Sequence, residues 1–246
     1  MEQRTPSKVL VAGASGRTGR EILSELAGRS VDVRAMTRSA DNRESLVADG
    51  ADEVAVGDLL NPTDVRNALE GCDAVLCAAG SSLTTGLTRP GRRVDGDGVA
   101  NLVDAAAREG VHTFVLQSSI GVGTSRLGMP LWARSLMLRW AVKEKAHAER
   151  ALRESGLGYV IFRPGWMNDD PATGDVLVAE GSEKMTGSIP RADVARLMVA
   201  ALYTPEAIDR TFEVVARTDA EKVAPPTLVD IEWNQRTGPK KTTAKA

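Results

Sequence analysis

The sequence predicts an α/β protein: a doubly wound parallel sheet with a small C-terminal region on its substrate side. Three observations carry this. Strand and helix patterns alternate from residue 8 to residue 165, the order that parallel βαβ units require. The segment DAVLCAAG (73–80) is apolar on both faces, as a central strand covered by helices must be. Residues 8–20, KVLVAGASGRTGR, place a short buried strand, a glycine turn and a helix start in direct succession.

In chain order, Lys8–Ala12 is the first strand, apolar at Val9, Leu10 and Val11. Beyond Gly19, Ile22, Leu23 and Leu26 recur at helical spacing. VDVRAMTR (31–38) is a second strand, residues 39–49 a helix with polar flanks, and Asp52–Val56 a third strand ending in Gly57-Asp58. Pro62 opens a helix through Leu69, with Asn61 or Thr63 able to cap it. DAVLCAAG is the fourth strand, Val99–Arg108 a helix and HTFVLQSS (112–119) the fifth strand. Residues 131–154 form a long helix closed by Ser155-Gly156, and GYVIFRPG (158–165) is the sixth strand. Past Gly165 the pattern loosens into short strands at 176–180 and 211–215 around a helix over 191–202. Residues 1–216 read as one domain, its substrate-side elements mainly in 166–216. Residues 217–246 read as a partly disordered extension; its basic end, RTGPKKTTAKA, can alternatively be a partner-binding arm.

A chain of 246 residues can bury a full core as a single α/β domain. A net charge of −2 gives no reason to expect nucleic acid or an acidic membrane surface as partner. No apolar run approaches the ~18–20 residues of a membrane span. The N-terminal MEQRTPSK has no hydrophobic signal core, so the expected compartment is the cytoplasm. Cys72 and Cys77 are about 16 Å apart if extended, too far for a disulfide, and read as a loop thiol and a buried thiol. With only His112 and His147, both read as structural or solvated, no metal site is expected.

Gly13, Gly16 and Gly19 follow the first strand with GxxGxxG spacing. A strand, a glycine turn and a helix in that order direct free N–H groups and the helix dipole at a pyrophosphate, the signature of a dinucleotide-binding Rossmann fold. An NAD site places an acid at the end of the second strand, where this chain has Met36-Thr37-Arg38. Arg38 cannot accept from a ribose hydroxyl but can pair with a 2′-phosphate, and Arg17 in the turn could reach the same group. NADP(H) is therefore expected over NAD(H). Asp58 at a strand end suits the adenine amine, and Ala78-Ala79-Gly80 leave room for ribose and diphosphate.

With these marks, and with QSS (117–119), AERALRESGLGYVIFRPG (148–165) and IPRADVA (189–195), the chain resembles atypical short-chain dehydrogenase/reductases. It is most similar to the NAD(P)H-binding NmrA-like group and its biliverdin-IXβ reductase/flavin reductase branch, over residues 8–215. The resemblance implies that Gly13, Ser15, Gly16, Arg17 and Thr18 hold the diphosphate and Arg38 the 2′-phosphate. Asp58 and Leu59 would meet the adenine, Ala79 and Gly80 the adjoining ribose, and Pro164 and Gly165 the nicotinamide. Ser119 would be the active-site serine, Ser118 one of the cofactor-binding residues, and Lys145 both a catalytic residue and the lysine that holds the ribose.

Two departures stand out. Classical members carry a tyrosine four residues before that lysine as proton donor, where this chain has Ala141. The flavin-reductase branch has a histidine after the proline turn, where this chain has Trp166. Lys145 is either the ribose lysine or a solvated helix lysine. Trp132, Trp140, Trp166 and Met167 either line an apolar pocket for a planar substrate or pack the core. The expected function is hydride transfer from NADPH to a flavin, quinone-like or other small planar acceptor whose product takes its proton from water. A non-catalytic NADP(H)-binding sensor or assembly protein is the other reading. The sequence leaves the oligomeric state open between monomer and dimer.

Overall fold

The computed structural model describes residues 5–80, 93–123, 136–181, 185–220 and 228–233, with the backbone alone at 136–140. Trp132 lies outside these residues, as does the side chain of Trp140. Ten strands and six α-helices are described. β1 is Lys8–Ala12, α1 Arg17–Leu26, β2 Asp32–Thr37, α2 Arg43–Ala48, β3 Glu53–Val56 and α3 Pro62–Leu69. β4 (Ala74–Cys77) precedes a single π-helical turn, Val94–Gly98, that runs directly into α4 (Val99–Arg108). Then come β5 (Thr113–Gln117), α5 (Leu136–Glu154), β6 (Gly158–Pro164), β7 (Trp166–Asn168), β8 (Val176–Glu180), β9 (Ser188–Pro190), α6 (Arg191–Ala201) and β10 (Arg210–Ala216).

The main sheet has the order β3-β2-β1-β4-β5-β6-β10-β8, parallel except for the antiparallel edge pair β10–β8. β7 and β9 form a small parallel sheet of their own. The chain winds outward from β1 to β3, then returns to start again at β4. The β1/β4 boundary is thus the switch point at which doubly wound sheets hold ligands.

The strands are apolar on both sides because side chains alternate between two helical layers. Val9, Val11, Leu76, Val115 and Phe162 pack with α1 and α6, while Leu10, Val75, Phe114, Leu116 and Ile161 pack with α3, α4 and α5. Ile22, Leu23 and Leu26 are the buried stripe of α1. At α3, Asn61 accepts from the Thr63 N–H at 3.0 Å with Pro62 in the first turn, so Asn61 rather than Thr63 is the cap.

At four places the structure differs from the sequence expectations or adds to them. Residues 39–49 form a 3-10 turn at Ala40–Asn42 and then the short α2, because the Ser39 side chain accepts from the Asp41 N–H and sets a tight turn first. The strands β7 and β9 have no counterpart in the sequence reading; three residues are too few to show a period. Cys72 is in the loop between α3 and β4 but buried there, its sulfur donating to the Ala68 carbonyl at 3.7 Å, and burial pushes its pKa up to about 11. Within the extension, residues 228–233 rejoin the core. The Val229 N–H donates to the Val178 carbonyl, and Trp233 packs against Phe162 and Phe212 with ring centroids 5.6 Å apart in each pair.

Candidate functional site

Register puts the ends of three strands at one level: Ala12 stands beside Met36 on one side and Cys77 on the other. The glycine turn, Thr37-Arg38 and Ala78–Gly80 therefore leave the sheet together. Between them lies a cleft of about 290 Å³ lined by Gly13, Ser15, Gly16, Arg38, Asp58, Leu59, Ala79 and Gly80 among others.

The glycines are required by contact. Gly13 has φ +78°, and a Cβ there would lie 2.6 Å from the Ala79 nitrogen. A Cβ at Gly19 would drive into the Gly13 carbonyl, so the first turn of α1 sits directly on the loop. Gly16 caps α1, and its N–H donates to the Gly13 carbonyl at 2.9 Å. This brings bare backbone and a helix N-terminus to the cleft floor, a cradle that fits a diphosphate.

Around it, Ser15 and Arg38 are exposed to the cleft. One Asp58 carboxylate oxygen accepts from the Leu60 N–H at 3.1 Å, and the Asp58 N–H donates to Asp64. Leu59 is buried in the wall. Arg17 goes elsewhere. Its guanidinium lies 2.6 Å from Asp169, which also takes Arg191 at 2.5 Å, so the side chain is paired on the β7 side rather than with Arg38. Thr18 is buried with its hydroxyl 4.0 Å from the Met167 sulfur.

Lys145 is no solvated helix lysine. Only 20% of its side chain is exposed, and its Nζ lies 3.3 Å from Oδ1 of Asp95, which is 5% exposed. The pair stands over Gly80: a Cβ there would be 3.0 Å from Asp95 Oδ1 and 3.7 Å from Lys145 Nζ. Asp95 belongs to the π-helical turn, a local widening that often marks functional sites. The sequence reading missed it; Val94–Gly98 follows no simple period, and only its place just before a helix facing β4 hints at it.

The end of β5 brings Gln117 and Ser118, both buried, and the half-buried Ser119 to the same rim. Beneath Ser118 lies a buried cluster in which Arg163 grips Glu149 with two nitrogens at 2.9 and 2.7 Å and Glu213 with the third at 3.0 Å. Burial pushes the Glu149 carboxyl up, but Arg163, with help from Ser118 and Arg153, outweighs it and holds its pKa below the usual carboxylate value. A Cβ at Gly123 would come within 2.9 Å of the Arg163 guanidinium, so the loop carrying Ser119 is laid against this charge.

Pro164 is buried, and Gly165 is small because β9 passes close: a Cβ would run into the Gly187 carbonyl. Trp166 is 46% exposed and Met167 half-buried, at the β7 rim. Asp193 of the IPRADVA segment accepts from Thr173 N–H and hydroxyl and from Gly174 N–H, fastening the loop after β7. The chain's two tyrosines are far from this rim. Tyr159 is the second residue of β6, and Tyr203 follows α6 beside Arg29, both toward the amino ends of the parallel strands. His147 is exposed, 3.8 Å from Asp97.

Residues 13–205 match a family model described as NAD(P)H-binding. An uncharacterised chloroplastic protein of Arabidopsis thaliana is 36% identical over 221 residues, covering 87% of this chain and 79% of its own. An uncharacterised sugar epimerase of Bacillus subtilis is 33% identical over 208 residues, 84% of this chain and 93% of its own. The sanguinarine reductase of Eschscholzia californica is 29% identical over 251 residues, 86% and 89% of the two chains. Among solved structures, the anaerobilin reductase ChuY of Escherichia coli O157:H7 superposes with a TM-score of 0.74 at 26% identity, over 88% of this chain and all of that one. Among the described residues no helix is long and apolar enough to cross a membrane.

Proposed function

The chain belongs to the NAD(P)H-binding family of atypical short-chain dehydrogenase/reductases, and from that premise we propose that it is an NADPH-dependent reductase of a small planar acceptor. Flavins and quinone-like compounds are the acceptor class, and NADP(H) the preferred cofactor. The observation that carries this is the pairing of an anchored Lys145 at the cleft with Ala141 in the tyrosine's place.

When bound, the cofactor supplies a hydride from its dihydronicotinamide ring. The protein's part is binding and orientation. The glycine turn holds the diphosphate, Arg38 the 2′-phosphate, and Lys145, steadied by Asp95, the nicotinamide ribose. Ser119, Pro164 and Gly165 border the ring, and Trp166 and Met167 offer an apolar rim for a flat acceptor. No tyrosine stands there to protonate a substrate oxygen, so acceptors whose products take a proton from water are favoured, and the rate gain is mostly proximity. Two similar proteins bear reductase names, which agrees with this class. The epimerase name of another relative does not suit it, because epimerisation needs an acid/base at the sugar hydroxyl.

The test is NADPH oxidation at 340 nm with FMN, dichlorophenolindophenol and a panel of small quinones. Turnover with at least one acceptor, and a lower KM for NADPH than for NADH, is expected. Tight NADPH binding without turnover on any of them would overturn the reductase in favour of a non-catalytic NADP(H) sensor.

A further inference from the structure

Among the described residues two buried side-chain polar atoms lack a hydrogen-bond partner, Gln117 Oε1 and Ser118 Oγ. They are consecutive, and both lie at the carboxyl end of β5, the edge where doubly wound sheets bind ligands. Unpaired buried polar atoms are costly and rare, so two side by side call for a cause. Successive residues of an extended chain face opposite ways. Ser118 lies on the Glu149 side, close enough to favour that carboxylate's charge.

Gln117 has no such account. It is 8% exposed, and its Nε2 donates only to the Met167 sulfur at 3.5 Å, a weak acceptor that the Thr18 hydroxyl also approaches. Gln117 thus stands between the first turn of α1 and β7, with a full-strength acceptor unused. A dinucleotide whose 2′-phosphate end is at Arg38 and whose diphosphate lies on the Gly13–Gly16 turn extends past Gly80 toward the ends of β5 and β6. Its far end carries a carboxamide, with N–H donors and one carbonyl. That is the complement of a glutamine amide.

We propose that Gln117 anchors the nicotinamide carboxamide by a reciprocal amide–amide pair of hydrogen bonds, fixing which ring face meets the acceptor. Met167, unbranched and deformable, covers Gln117 and gives way as the ring enters. This rests on the dinucleotide reading above.

The experiment is calorimetric titration of the full chain and its Gln117→Leu and Gln117→Met variants with NADPH and with adenosine 2′,5′-bisphosphate, which lacks the nicotinamide half. Thermal melts select the variant that keeps the fold. Expected is a loss of about tenfold or more in NADPH affinity, as for one or two lost hydrogen bonds, with bisphosphate affinity unchanged. The fluorescence of bound NADPH should shift as well. Equal losses for both ligands, or none for NADPH, would overturn the anchor while leaving the dinucleotide reading intact. A wild-type chain that binds neither ligand would overturn both.

Discussion

Lys145 Nζ and Asp95 Oδ1 lie 3.3 Å apart where a side chain on Gly80 would point, so one ion pair from two elements walls the cleft beside β4. Asp95→Ala leaves a largely buried ammonium without this carboxylate. A stability loss of about 1–3 kcal/mol is expected, visible as a lower Tm, together with a raised KM for NADPH. Gly80→Val should weaken NADPH binding as much while costing less stability, because Gly80 is exposed at the rim.

Arg38 is a cleft-facing cation at the end of β2. If it holds the 2′-phosphate, Arg38→Ala should weaken NADPH about 10- to 100-fold, the worth of charge-assisted hydrogen bonds, and leave NADH nearly unchanged. Binding titrations with both nucleotides check this; equal effects on both would contradict it.

Glu149 predicts the shape of the acid limb. Its folded pKa lies below the ordinary 4.5, so its stabilising contribution is complete above that value and is lost as pH falls through the depressed folded pKa. Glu149→Gln should cost about 1–3 kcal/mol at neutral pH, because the buried Arg163 then keeps Glu213 as its one carboxylate partner. The gap between wild type and variant should then shrink as denaturation is followed below pH 4.5. A constant gap would count against the pair as its source.

Asp169 bridges Arg17 and Arg191 in the open, where ion pairs add little. Asp169→Asn should leave Tm unchanged. Because it frees Arg17 at the mouth of the glycine turn, tighter NADPH binding is the expected result, more so at low salt, and titration at two ionic strengths reads it.

The βα order, the glycine turn and Arg38 were legible because each is a local signal: a period, a spacing, a residue at a strand end. Lys145 was legible only as one of two alternatives, since its burial depends on Asp95, fifty residues earlier. Asp95 was not singled out at all, and Gln117 only as the first residue of the QSS segment, with no role of its own. Nothing in the sequence around Asp95 sets it apart from a solvated acid, and a glutamine closing an apolar strand reads as its polar end. The Arg17–Asp169 pair was not legible, because Asp169 follows β7, a strand too short to leave a pattern. The π-helical turn is invisible for the same reason.

Trp233, from the last described segment, packs onto the touching pair Phe162 of β6 and Phe212 of β10, and so helps to close the α1/α6 side of the sheet. During synthesis that contact cannot form until residue 233 has left the ribosome. The nascent chain therefore holds Phe162 and Phe212, seventy-one and twenty-one residues upstream, without their last aromatic neighbour until the final stretch of synthesis. Its period of greatest exposure to aggregation or chaperone capture falls at the end of translation, and a stop codon shortly before residue 233 would make that period permanent.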